Sequence, residues 1–440
     1  MVNLRDETVS ERILMKLGKT FLILIALFLL LASLTVRPEQ AAHASEPAAY
    51  EPGQIIVKLA SLPLLTILDV NLTYGTNTIT SLTNQSKVYL LQVPPGTTAE
   101  QLVQNMAGDS RLVYAELNHI HTTPEDSSTN RTYGWGESSD PGPYTQPGDW
   151  AAAHSISQGN GVIVAVLDSG VQWDHPAFAN RLDPLSFDFI DGDIWPDEEA
   201  DGVDNDGDGL VDESYGHGTH VAGIVHLAAP DSLLMILRVL DSDGRGNDFR
   251  TADAILYAAM NGAQVINLSL GTSAPSITLR EAVKQAAEMG VVVVAAAGNM
   301  DNSEPQYPAA ELCALAVTST DHEGYKSDFA TYGSWVDVAA VGENIYSTFP
   351  GSQYAWWSGT SMSTPFVSGQ AALLLGRVSS LSLNQIGVLI GGTADSLDTL
   401  NPGYVGLLGK GQIDIQASLA ALTGNGRPPQ EGNLFAGCLN

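Results

Sequence analysis

"GVIVAVLDSGV", residues 161–171, is an apolar run that stops on an aspartate. A strand with one face in water alternates apolar and polar residues, whereas this run is apolar throughout, so both of its faces must be covered. Four further runs share the pattern: "LLMILRVL" (233–240), "AQVINLSL" (263–270), "GVVVVAAAG" (290–298) and "CALAVTS" (313–319). Between them lie helical stretches such as "THVAGIVHLA" (219–228), "RTADAILYAAM" (250–260) and "TLREAVKQAAEM" (278–289). Continuous apolar strands alternating with helices predict a doubly wound, mostly parallel α/β sheet. In such sheets ligands bind beyond the carboxyl ends of the strands. Asp168 stands at one of those ends, although taken alone it also reads as a turn or cap residue.

Working outward, residues 45–121 read as a small α+β unit. "GQIIVKLA" (53–60), "KVYLLQV" (87–93) and "RLVYAEL" (111–117) are strand-like, and Thr97 with Glu100 has capping-box spacing for a helix. Residues 122–149 are rich in Pro, Gly, Ser and Asp and read as a linker, residues 150–422 hold the α/β sheet, and 423–440 are a tail. At the front, Arg12, Lys16 and Lys19 precede an apolar run, Phe21–Val36, shorter than the roughly 20 residues of a membrane span. With "AHA" at 42–44, residues 1–44 read as an export signal cleaved near Ala44, and the product as secreted; an uncleaved membrane anchor is the alternative. The net charge of −30 argues against nucleic acid or an anionic membrane surface as a partner and is compatible with bound cations. The two cysteines are no disulfide scaffold: Cys313 in its apolar run reads as a buried thiol, with a bridge to Cys438 as the alternative.

Two more polar groups stand where an apolar sheet has no need of them. His217 opens "HGTHVAG" (217–223), and Ser361 lies in "GTSMSTP" (359–365) at the mouth of an apolar helix. Alone, each reads as a cap, and the His217/His220 pair lacks the H-E-x-x-H of a zinc site. Together with Asp168 they supply what acyl transfer by serine needs: a hydroxyl, a base, and a carboxylate to orient the base. The three motifs, in the order Asp, His, Ser, resemble the signatures of the subtilisin family of serine peptidases, the subtilases. Residues 45–121 resemble that family's propeptide more weakly. The resemblance implies a secreted, self-processing serine endopeptidase acting on protein or peptide substrates. Its triad would be Asp168, His217 and Ser361, with Asn299 in the oxyanion hole and its own propeptide as an intramolecular inhibitor. It further implies substrate-pairing edges at Ser269, Leu270, Gly271 and at Gly244, Arg245, Gly246, and a side-chain pocket around Gly271, Gly298 and Tyr307. With no acid at those positions, a broad or apolar preference is expected. A monomer free of membrane after signal cleavage is also expected. Pro365 is expected in the first turn of its helix, where a missing N–H costs nothing. An esterase is disfavoured by the triad order and the lack of a G-x-S-x-G elbow. A non-catalytic binding protein would have lost a triad member.

The chain departs from the family pattern by an acidic insertion before His217. Within it, "DNDGDGLVDE" (204–213) spaces Asp204, Asp206, Asp208, the Leu210 carbonyl and Asp212 like the first nine positions of an EF-hand loop. Tyr215 stands where the twelfth-position Glu would be, so the expectation is a local structural calcium loop, with Glu213 as an extra ligand. A plain solvated acidic loop is the other reading.

Overall fold

In this computed structural model, residues 49–83, 87–127, 134–135, 150–424, 429 and 432–438 are described. The export signal, most of the linker and part of the tail lie outside them.

The N-terminal unit pairs β1 (Tyr50–Leu59), β2 (Asn77–Ser81), β3 (Val88–Gln92) and β4 (Leu112–His121) in the antiparallel order β2-β3-β1-β4. Two helices, α1 (Ile67–Tyr74) and α2 (Ala99–Met106), close its core around Ile55, Val57, Leu91, Leu102 and Met106. The cap of α2 sits one residue later than the sequence pattern suggested. Thr98 accepts from the Gln101 N–H and the Gln101 side chain returns the bond, while Glu100 is held by the Tyr50 hydroxyl.

The larger part is built on seven parallel strands. These are β6 (Ile163–Asp168), β7 (Phe187–Asp188), β8 (Leu233–Arg238), β10 (Val265–Leu268), β11 (Val292–Ala296), β12 (Ala314–Thr320) and β13 (Val338–Val341). They stand in the order β13-β12-β11-β10-β6-β8-β7, with the sequence order reversing between β10 and β6. Two short segments lie elsewhere: β5 (Gly134–Trp135) joins β14 (Ile345–Phe349) and β15 (Gln353–Trp357), and β9 (Gly246–Asn247) pairs with β4. The helices are α3 (Trp150–Ile156), α4 (His217–Ala228), α5 (Asp248–Met260), α6 (Ile277–Glu288), α7 (Thr360–Arg377), α8 (Leu383–Thr393) and α9 (Ile415–Leu422).

Helix α7 is buried all round from Thr360 to Leu375, so its polar groups need partners inside the protein. Ser368 donates to Asn267 Oδ1 at 2.8 Å, Gln370 to Ser418 Oγ at 3.0 Å, and Ser363 to the Ala340 carbonyl at 3.0 Å. Gly369 allows close approach to α4, because a Cβ there would meet Ala228 Cβ at 2.2 Å. Pro365 is not in the first turn but is the sixth residue of α7. It therefore deletes the N–H that would bond the Ser361 carbonyl. Ser269 Oγ donates to that carbonyl instead, at 3.0 Å.

Cys313 is not a free thiol: it forms a disulfide with Cys438, which fastens the tail to the start of β12. The buried-thiol expectation fails because a pairing across 125 residues leaves no local trace in the sequence.

Candidate active site

Strand β6 delivers Asp168 at its carboxyl end, α4 begins on His217, and α7 carries Ser361 as its second residue. The structure brings these together with Asn299. His217 Nδ1 lies 2.7 Å from Asp168 Oδ1, and both side chains are fully buried. Trp357 meets the imidazole edge-on, with ring centroids 5.4 Å apart. His220, the other histidine of the motif, turns Nε2 toward the Ile345 and Ala355 carbonyls, and burial pushes its pKa down to about 3. It is a neutral core residue.

Asn299 is oriented from behind. Its Oδ1 accepts from the N–H and the hydroxyl of Thr360, both at 3.0 Å, which fixes the amide with Nδ2 free to donate on its other side. The Thr360 N–H is one of the first-turn donors that a helix cannot satisfy internally. Removing one oxyanion donor costs about 2.7–4 kcal/mol in a subtilisin, the protein in which that magnitude was measured.

An unforeseen residue fills the space between these groups. Glu125 Oε2 accepts from Ser361 Oγ at 2.8 Å and lies 3.2 Å from His217 Nε2, while Oε1 accepts from Asn299 Nδ2 at 3.1 Å. Burial works against a charged imidazole, but Asp168 and then Glu125 outweigh it and hold the His217 pKa well above its ordinary value. Glu125 belongs to a 3-10 turn, Pro124–Ser127, in the stretch that reads as linker. No sequence signal marks it, since its partners lie far along the chain.

The segment leading into that turn is held as an extended strand. His121 pairs with Gly246, the Thr123 N–H donates to the Gly244 carbonyl at 3.2 Å, and Thr122 exchanges bonds of 3.0 and 2.9 Å with Gly271. So Gly244, Gly246 and Gly271 do form two facing edges. Leu270 is buried behind them, and Ser269 lies beneath Ser361 as described above. Arg245 does not enter the cleft: its guanidinium donates to the Asn205 carbonyl at 2.9 Å and pairs with Glu51 at 3.3 Å. Beside the edges a cavity of about 160 Å³ is lined by Pro124, Gly271, Gly298, Asn299, Met300 and Gln306 among others, with no acidic side chain among the described residues. Tyr307 is not among its lining residues; its backbone bridges Thr272, which is.

In the acidic insertion, carboxylate oxygens of Asp204, Asp206 and Asp208 lie within 4.8 Å of one another. Leu210 donates its N–H to Asp208. Asp212 turns away from the three and accepts from the N–H groups of Asp201 and Gly202. The loop is tied to the cleft edge by buried Asp243, which accepts from the N–H groups of Asn205 and Asp212. Asp243 also escaped the sequence reading, despite standing next to Gly244.

Comparison with known proteins accords with this geometry. The subtilase family matches residues 159–411, and the fervidolysin N-terminal prodomain matches residues 36–118. Thermitase of Thermoactinomyces vulgaris is 43% identical over 255 residues, which are 56% of this chain and 85% of thermitase. Subtilisin BL of Lederbergia lenta is 39% identical over 277 residues, 61% of this chain and 94% of that protein. The crystal structure of fervidolysin from Fervidobacterium pennivorans, a keratinolytic enzyme related to subtilisin, superposes with a TM-score of 0.68 at 22% identity. That fold similarity covers 85% of this chain and 62% of fervidolysin. From its sheet order to its prodomain, this chain belongs to the subtilase family, and it is a serine endopeptidase.

Proposed function

We propose that the protein is a secreted, self-processing zymogen in which residues 45–121, together with the Thr122–Glu125 run that follows them, block the cleft until the chain is cut. The observation that carries this reading is the run Thr122–Glu125, bonded to both cleft edges and reaching Ser361, His217 and Asn299. In the freed enzyme Ser361 Oγ attacks the scissile carbonyl, His217 Nε2 takes the hydroxyl proton and returns it to the leaving amine, and Asp168 holds the imidazole tautomer. Asn299 Nδ2 and the Ser361 N–H stabilise the oxyanion. The edges at Gly244–Gly246 and Ser269–Gly271 bind the substrate as an added strand, which selects a peptide. The pocket lining supports a broad or apolar side-chain preference, and the enzyme works as a monomer. Ser361→Ala tests the reading: the secreted variant should retain the propeptide, and normal trimming of it in a protease-free host would sink self-processing.

Calcium is the second part of the proposal. The group Asp204, Asp206 and Asp208, with the Leu210 carbonyl, offers the hard oxygen donors that calcium takes. Burial and the charges of Asp208, Asp243 and Asp204 push the Asp206 pKa up, a repulsion that a cation would relieve. The role is structural and no step of the chemistry passes through the ion. Exhaustive chelation should lower thermal stability and activity together, with calcium restoring both and magnesium doing so poorly. Unchanged melting and activity would leave only a solvated loop.

A further inference from the structure

Helix α4 carries the proposed base on its first residue, yet it cannot cap itself. Its N-cap is Gly216, with φ 94°, which has no side chain to accept from the first-turn N–H groups. Two outside residues do so. Ser169 Oγ accepts from the Gly218 N–H at 2.9 Å, and Glu198 Oε2 accepts from both the N–H and the hydroxyl of Thr219 at 2.9 Å. These two acceptors are linked, because Ser169 Oγ donates to Glu198 Oε1 at 2.7 Å. Ser169 follows Asp168 in the chain, and its N–H donates to Asp168 Oδ1 at 2.8 Å, the same oxygen that faces His217. Glu198 therefore joins the end of β6 to the first turn of α4 through one carboxylate.

The backbone around it is equally constrained. The Glu198 N–H donates to the Val171 carbonyl, and the Val171 N–H to that of Pro196, both at 3.0 Å. A Cβ on Gly218 would meet the Gly170 carbonyl at 2.1 Å, and one on Gly170 would meet that of Asp197 at 2.7 Å. Three segments are thus clamped together, with the Glu198 carboxylate bonded to the first turn of α4 at Thr219.

We propose that Glu198 is a positioning residue: it sets the depth and rotation of the first turn of α4, and with them the place of His217 relative to Asp168 and Ser361. It touches neither substrate nor the reacting atoms, and it acts through Ser169 and Thr219. This rests on the triad reading above. Because effective catalysis tolerates little misplacement of the base, loosening the turn lowers the chemical step while leaving substrate binding at the cleft edges intact.

The test uses processed enzyme, with slow variants matured by a trace of native protease that is then removed. Glu198→Ala should lower kcat about tenfold or more with KM nearly unchanged. Glu198→Gln keeps an acceptor for Thr219 and a partner for Ser169, so it should recover most of kcat. Should the alanine variant fail to fold, Ser169→Ala, which cuts the same link, is expected to show the same selective loss of kcat. A lowered melting temperature with unchanged kcat in either alanine variant would reduce Glu198 to a stabilising cap and overturn the proposal, as would a glutamine variant no better than alanine. Ser361→Ala run alongside separates the two readings: if it stays active the triad assignment itself fails, whereas an inactive Ser361→Ala beside a fully active Glu198→Ala sinks only this inference.

Discussion

Glu125 does more than fill space. On the proposed triad reading a protonated imidazole cannot take the proton of Ser361, and Glu125 adds to what raises the His217 pKa. The sign follows from linkage: a raised histidine pKa means that the contact is strongest below that pKa and is lost as pH rises through it. The precursor should therefore convert to the shorter form faster as the medium turns alkaline. Glu125→Gln removes the negative charge, lowers the His217 pKa, and should make conversion faster at neutral pH and flatter across the profile. Gel-based conversion rates over a pH series check this, and a native precursor indifferent to pH would contradict it. Asp168, His217 and Ser361 were legible in the sequence because each sits in a long motif at an element boundary, where chemistry demands a polar residue against an apolar background. Glu125 was not legible, since its neighbours in sequence read as a solvated loop and Ser361 is 236 residues away.

Helices show the same division between local and distant information. The strand runs announce the parallel sheet because full burial imposes an apolar composition that no surface strand shows. Caps and breaks are less visible, being settled by single bonds: the α2 cap falls on Thr98 rather than Thr97, and Pro365 lies deeper in α7 than expected. That proline gives a sharp prediction. Ser269→Ala should leave the buried Ser361 carbonyl without its donor, costing about 1–3 kcal/mol of stability. Adding Pro365→Ala restores an N–H four residues along, so the double variant should regain part of the loss. Denaturant unfolding of all four proteins measures it, and simple additivity of the two changes would refute the account. The N-terminal unit also supplies caps. Glu116 on β4 accepts from the N–H groups of Ile277 and Thr278, both at 2.8 Å, at the start of α6. His119 and His121 bond both oxygens of Asp248 at the start of α5, and although burial opposes it, these contacts hold the Asp248 pKa below its usual range. Asp248→Ala should accordingly weaken inhibition by the added N-terminal unit, read as a rise in its inhibition constant against the processed enzyme.

Taken whole, the molecule carries a net charge of −30, and such self-repulsion opposes compactness. The Cys313–Cys438 bridge works in the other direction by closing a long loop in the unfolded chain. Cys313→Ala should cost about 2–4 kcal/mol, with the C-terminal tail becoming the first site of proteolytic nicking. Equal melting temperatures for the native and variant proteins would show that the bridge contributes nothing to stability. Charge and composition were plain from the sequence, but the bridge and the placement of the acidic loop against Asp243 depend on segments that meet only in the folded protein. The strand lying in the cleft has a further consequence when considered as a matter of concentration. On the proposed zymogen reading, while the chain is continuous the cleft segment is present near its own cleft at an effective concentration on the order of millimolar, whatever the amount of protein in solution. Cutting the connection changes nothing in the bonds made by Thr122 or Thr123, but it converts a property of one molecule into an equilibrium between two. From that moment occupancy should follow dilution, so a crowded preparation is expected to stay quiet while the same molecules, spread into a large volume, become active.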